Sequence, residues 1–136
     1  MTMIERLLLV VALVGIGILI YRLVTLRHVR RVAEAPRDAL LAGLRDGVPT
    51  IVYFTTPQCM PCKTQQMPAL QTLQTELGDG LQVVRVDATE QPDAAERWGV
   101  FSVPTTFILD LHGQAREVNY GVADAAKLRR QLQAAS

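Results

Sequence analysis

The stretch VYFTTPQCMPCK, residues 52–63, is where an apolar run gives way to a pair of cysteines. The run begins upstream as VPTIVYFT, Val48 to Thr55, short and rich in β-branched and aromatic residues. That composition suits a strand buried on both faces, with Pro49 confined to its start. Thr56-Pro57-Gln58 breaks the pattern. Beyond Cys59, Met67, Leu70, Leu73 and Leu77 recur at three- and four-residue steps and predict a long helix, stopped by Gly78-Asp79-Gly80. Cys59 and Cys62 therefore fall where a buried strand hands over to a helix.

That placement matters more than the spacing. The N–H groups of a helix's first turn are unsatisfied, and the helix dipole favours negative charge there. A thiol so placed loses its proton more readily, and the thiolate is the nucleophile. Each unit of pKa depression corresponds to about 1.4 kcal/mol. Cys59, at the lip of the helix, is the candidate attacker. Cys62, about one turn on, can close a disulfide against it, so attack on a partner's disulfide followed by resolution is the implied cycle. Pro61 suits the first turn, where its missing N–H costs nothing. Taken alone, the pair leaves other readings open: a structural pair, or half of a metal site. Met60 adds a soft ligand that makes copper transfer the most serious of these.

Composition narrows the field. Two cysteines are fewer than a disulfide-stapled scaffold carries and too few for a four-ligand zinc site. His28 and His112 lie far from them in sequence, and Lys63 stands where a haem-attachment motif needs histidine. A net charge of +1 over 136 residues gives no global pull toward nucleic acid.

Outward from the cysteines, the rest of the domain reads as alternating elements. Pro36 to Asp46 predicts a short helix with Leu40, Leu41 and Leu44 on one face, ended by Gly47. Leu81 to Val86 predicts a strand with Asp87 at its exit, and Pro92 to Trp98 a short helix closed by Gly99. Thr105 to Leu111 and Gln114 to Tyr120 predict two strands joined by the His112-Gly113 turn. Gly121 precedes a last helix carrying Ala125, Leu128 and Leu132. A βαβ unit followed by an antiparallel pair indicates an α/β fold with a mixed sheet flanked by helices. Trp98 is expected in the core, and Phe101 is left between core and substrate contact.

The first thirty residues are of another kind. Leu7 to Tyr21, LLLVVALVGIGILIY, is apolar on every face and uncharged. At 1.5 Å per residue it spans only about 22 Å, short of a hydrocarbon core of about 30 Å. Extension through Arg22 to Leu26 closes the gap, with the Arg22 stem reaching the headgroups and Tyr21 at the interface. No small-x-small cleavage pattern follows until Ala33-Glu34-Ala35, so an uncleaved anchor is preferred to a signal peptide. The expected organisation is residues 1–35 as anchor, helix about 5–26, and basic linker, with residues 36–136 as one domain. Arg22, Arg27, Arg30 and Arg31 behind the helix, against Arg6 ahead of it, assign the domain to the cytoplasmic side.

VYFTTPQCMPCK, followed by WGVFSVPTTFIL from Trp98 and then by Gly113 and Gly121, resembles the thioredoxin family over nearly everything from Pro36 onward. The resemblance implies a thioredoxin-like fold behind one membrane helix, and disulfide exchange by Cys59 and Cys62. It implies a cis-proline loop at Val103-Pro104-Thr105 that packs on the cysteines and offers backbone hydrogen bonds to a substrate peptide. Met60, Pro61 and Thr105 support the site, Gly113 and Gly121 match a turn glycine and a bulge glycine, and no cofactor beyond the Cys59–Cys62 disulfide is implied. The partners so implied are protein disulfides, a thiol electron donor and, through the helix, a lipid bilayer.

The departures are specific. Gln58 replaces the usual tryptophan, and Tyr53 stands where a buried aspartate is common, so no carboxylate base is assigned. Pro68 falls six residues after Cys62 instead of five, which predicts a local irregularity in the helix. The fold's first strand could come only from Val29 to Ala33. Pro61 is shared with reducing members, and oxidising members often place histidine before the second cysteine, so a reductase is expected. Anchored members serving cytochrome maturation generally lie outside the cytoplasm and often lack the aspartate too, against the charge count. A metal-delivery module and a redox-inactive adaptor remain the rival classes.

Overall fold

Beyond the N-terminal helix the chain is organised by one strand whose every residue is buried. In a computed structural model, residues 1–34 and 39–136 are described, the backbone alone over 28–34. The chain divides into two compact units, Met1–Arg31 and Val32–Ser136.

The first unit is helical. Helix α1, Met3–Glu34, opens on a reciprocal cap: Thr2 N–H donates to the Glu5 carboxylate at 2.8 Å, and Glu5 N–H to Thr2 Oγ1 at 3.3 Å. Its segment Met3–Arg27, 25 residues, is long and apolar enough to cross a bilayer. At 1.5 Å per residue that is about 37 Å, against a hydrocarbon core of about 30 Å. Val29 to Ala33, the one stretch available for an additional first strand, belongs to this helix instead. No glycine or proline interrupts the chain between Gly17 and Pro36, so the helix runs on.

In the second unit, strand β1, Thr50–Thr55, lies inside a four-stranded sheet of order β2-β1-β3-β4. β2, Gln82–Asp87, pairs with it in parallel; β3, Thr105–Leu109, pairs antiparallel and carries β4, Ala115–Tyr120, antiparallel at the edge. The sheet is mixed, as the order of motifs predicts. Thr55 lies opposite Asp87, and Phe54 opposite Thr105. The end of β1 is thus held between the exit of β2 and the entry of β3.

Alternation along β1 divides the core in two. Ile51 and Tyr53 face helices α2, Met67–Leu77, and α4, Ala125–Ala135, among Leu70, Leu73, Ile108, Leu128 and Leu132. Val52 and Phe54 face Val86, Phe107, Leu109 and Trp98, the residue just past helix α3, Pro92–Arg97. Phe54, Trp98 and Phe107 form an aromatic trio with centroids 4.9–6.0 Å apart, so Trp98 is core.

The helix expected over Pro36 to Asp46 is reduced. Residues 36–38 lie outside the described part, and the helical portion beyond them is a single 3₁₀ turn, Ala39–Leu41, with Leu40 and Leu41 packed on the aromatic side. Gly43, at φ +83°, is in the left-handed region and ends it there. Leu77 also departs from its expected face: α2 buries Leu70 and Leu73, but Leu77 is exposed.

The β3–β4 turn is organised by Asp110. Its Oδ1 accepts from the N–H groups of His112 at 2.8 Å and Gln114 at 3.0 Å, and its Oδ2 from Arg116 Nε at 2.8 Å. Gly113, at φ +79°, takes the left-handed turn position. The sheet's register slips at Ile108/Leu109, so the bulged residue is Arg116; Gly121 instead ends β4. Burial pushes the Asp110 carboxyl up, but the hydrogen bonds from Gln114, His112 and Arg116 outweigh it and hold the group below its ordinary value. Its contribution to stability is therefore complete above the ordinary carboxylate pKa and is lost as pH falls through the lower folded one. Asp110→Ala should cost about 2 kcal/mol at neutral pH. Denaturant midpoints of the full chain in detergent should show this difference shrinking toward acid pH.

Candidate active site

Three backbone segments meet at the end of β1. Thr56 to Gln58 turn the chain, with Cys59 N–H donating to Thr56 O at 3.2 Å, and the chain becomes helical at Met60. Lys63 N–H closes the first turn on Cys59 O at 3.3 Å. Cys59 and Cys62 are joined as a disulfide, Cα atoms 5.3 Å apart. Cys62 N–H points at Cys59 Sγ, 3.2 Å away, so a first-turn donor is aimed at the sulfur. Cys59 retains 8 % of its surface and Cys62 1 %, which makes Cys59 the more accessible sulfur. Met60 and Pro61 are exposed beside them.

The turn from Cys62 to Gln66 is π-helical, and Met67 N–H reaches back five residues to Cys62 O. This is the irregularity that the position of Pro68 predicts: one extra residue is taken up before α2 begins. Gln58 lies exposed where the tryptophan is usual.

The second segment is the loop ahead of β3. The Val103–Pro104 peptide is cis. Val103 is half-buried and packs on the cluster that contains both cysteines, while Pro104 and Thr105 are buried. Thr105 Oγ1 donates to Ser102 O at 2.7 Å. The third segment is the exit of β4, where Gly121 N–H donates to Pro104 O at 2.8 Å.

A strand-to-helix CxxC faced by a cis-proline loop is matched by comparison with known proteins. The thioredoxin family model covers residues 37–134. The chain belongs to the thioredoxin family. It is 33% identical over 90 residues to thioredoxin of Bacillus subtilis, covering 66% of this chain and 84% of that one. To thioredoxin of Rhodospirillum rubrum it is 35% identical over 96 residues, 71% of this chain and 86% of the relative. Among solved structures, Fasciola hepatica thioredoxin superposes with TM-score 0.58 at 23% identity, over 67% of this chain and 84% of that one, a likeness of fold. Membership with the CxxC intact makes the protein a thiol–disulfide oxidoreductase, and the family implies protein disulfides as its substrates.

Within this thioredoxin site the family's buried carboxylate is replaced by Tyr53, 1 % exposed on the cysteine side of the sheet. Its hydroxyl donates to Cys62 O at 3.4 Å. Burial pushes the phenol up, beyond what its hydrogen bond with Thr55 and the nearby Arg85 charge take back. It stays protonated through neutral pH and is no base for a thiol.

Phe101, which sequence leaves undecided, is on the surface: 82 % exposed and stacked on Tyr120 with centroids 5.1 Å apart. It borders a groove of about 420 Å³ that Thr56, Pro92 and Val103 also line. Among the described residues no group of three His, Cys, Asp or Glu could hold a metal ion.

Sequence reading misses Gln66. It is fully buried, with its amide bonded to Ala123. The available signal is a polar residue in register with Leu70 and Leu73 on an otherwise apolar helix face.

Because Tyr53 remains neutral, Tyr53→Phe should leave the pH–rate profile for disulfide reduction superimposable on that of the wild type over about pH 6–9. Loss of an alkaline or neutral limb in the variant would assign Tyr53 a proton-transfer role.

Proposed function

We propose that this protein is a membrane-tethered disulfide reductase in which Cys59 attacks and Cys62 resolves. The observation that carries the reading is the Cys59–Cys62 pair at a helix's first turn, with Cys62 N–H aimed at Cys59 Sγ and Val103 packed against the cluster that holds both cysteines. In the reduced protein that N–H would favour a negative Cys59 sulfur, and Cys59 is the sulfur a partner can reach.

The cycle balances as two successive exchanges. Cys59 thiolate bonds to one sulfur of the substrate disulfide, and the other sulfur leaves as a thiolate and takes up a proton. Cys62 then gives up its proton and attacks Cys59 Sγ, releasing the second substrate thiol. Two electrons pass to the substrate and the protein is left with the Cys59–Cys62 disulfide. A separate thiol donor must reduce it for the next turnover. Val103 and Pro104 are assigned to hold the substrate backbone. Met60 and Pro61 form the exposed shoulder of the site, and Thr105 braces the loop through Ser102 O. Reduction in preference to oxidation rests on Pro61 and on the absence of histidine before Cys62.

The tether reading rests on α1, whose 25-residue apolar segment has the length of a membrane span. Residues 1–35 are assigned as anchor and linker, 36–136 as the catalytic domain. The arginines behind the helix favour a cytoplasm-facing domain.

In an insulin-reduction assay Cys59→Ser should abolish turnover, and Cys62→Ser should accumulate mixed disulfides visible on non-reducing gels. Full activity in Cys59→Ser would refute the assignment. For topology, alkaline phosphatase fused after Ser136 should be inactive and a cytoplasm-dependent reporter active; the reverse pattern places the domain outside.

A further inference from the structure

Gln66 is wholly buried, yet its amide forms a reciprocal pair with a residue 57 positions away. Nε2 donates to Ala123 O at 3.0 Å, and Oε1 accepts Ala123 N–H at 2.9 Å. An apolar side chain of similar volume could fill the same space without needing polar partners. The two ends of this link explain what the amide adds. Gln66 closes the π turn that Cys62 opens, so it moves with the cysteine-bearing backbone. Ala123, 1 % exposed, packs in the cluster that holds both cysteines and Val103. Two residues earlier, Gly121 N–H donates to Pro104 O at 2.8 Å. One path, hydrogen-bonded at Gln66–Ala123 and at Gly121–Pro104 and joined by the backbone of residues 121–123, therefore runs from the Cys62 turn to the cis-proline loop.

We propose that Gln66 is a positioning residue: it sets the separation between the Cys59–Cys62 turn and the Val103–Pro104 loop, and through it the fit of a polypeptide substrate. The inference rests on the reading of that loop as substrate-holding. A polypeptide must engage both halves of the site at once, whereas a small disulfide needs only Cys59. Relative displacement of the halves should therefore weaken the first reaction and spare the second. Misplacement of about 1 Å in a site can cost up to about a hundredfold, and loosening of one bridge should fall near tenfold.

The test uses the full chain in detergent, with insulin as polypeptide substrate and 5,5′-dithiobis(2-nitrobenzoate) as small disulfide. Q66M keeps the volume and removes both hydrogen bonds. It should raise KM for insulin about tenfold, leaving kcat and the small-disulfide rate unchanged. Q66E adds a readout within one folded protein. Its neutral carboxyl supplies one O–H donor and one C=O acceptor, the pair Ala123 requires, and ionisation removes the donor. Its KM for insulin should match the wild type at acid pH and rise as the carboxyl ionises, with no such step for the small disulfide. Equal losses on both substrates in Q66M, unchanged kinetics in Q66M, or a pH-independent KM ratio in Q66E would each overturn the proposal. A wild-type chain that reduces neither substrate would instead remove the reductase reading beneath it.

Discussion

The site depends on the register between β1 and β3. Phe54 opposite Thr105 fixes where the chain leaving β1 meets the chain entering β3, because the two strands run antiparallel. A slip of one residue would turn Tyr53 and Ile51 toward the aromatic side and carry the cysteine turn away from Val103. The register is held from both faces: Ile51, Tyr53 and Ile108 pack under α2 and α4, and Val52, Phe54 and Phe107 pack around Trp98. All six β1 residues are buried, so neither face can be exchanged for the other without exposing core. Core packing here is therefore also active-site geometry.

The cysteine environment is mainly apolar. Around the pair stand Ile51, Leu70, Leu73, Ala123 and Val103, with Tyr53 bringing a neutral hydroxyl. Within this low-polarity surround the first-turn N–H of Cys62 is directed at Cys59 Sγ, and Cys59 is the more exposed of the two sulfurs. The asymmetry between the two cysteines thus comes from a backbone donor and accessibility.

Much of the fold is legible in the residues alone. β1 shows itself through β-branched and aromatic density, the two antiparallel strands through His112-Gly113 between them, and the site through cysteines placed at a strand-to-helix junction. The Val103–Pro104 loop is legible only by family resemblance, since nothing local separates a cis from a trans proline turn. The features that escape are set by context beyond the local pattern. The leucines of 40–44 show helical spacing, but Gly43 takes a left-handed conformation that stops the turn. Val29 to Ala33 contains β-branched residues, yet helix α1 continues through it. Gln66 reads only as a polar residue in register with Leu70 and Leu73, and the partner of its amide appears only once Ala123, far along the chain, is brought against it.

The π turn at Cys62–Gln66 has an evolutionary corollary. Each residue added to a regular helix rotates everything beyond it by about 100°. Here the surplus residue is absorbed before Met67, so Leu70 and Leu73 still point inward and the cysteines keep their place. The exposed residues Lys63 to Gln65 are thus a seam where codons can be gained or lost, while Gln66 beyond them stays buried against Ala123. The same length change inside Met67–Leu77 would swing a leucine face into water, so lineages of this fold should tolerate indels at the seam and purge them one turn further on.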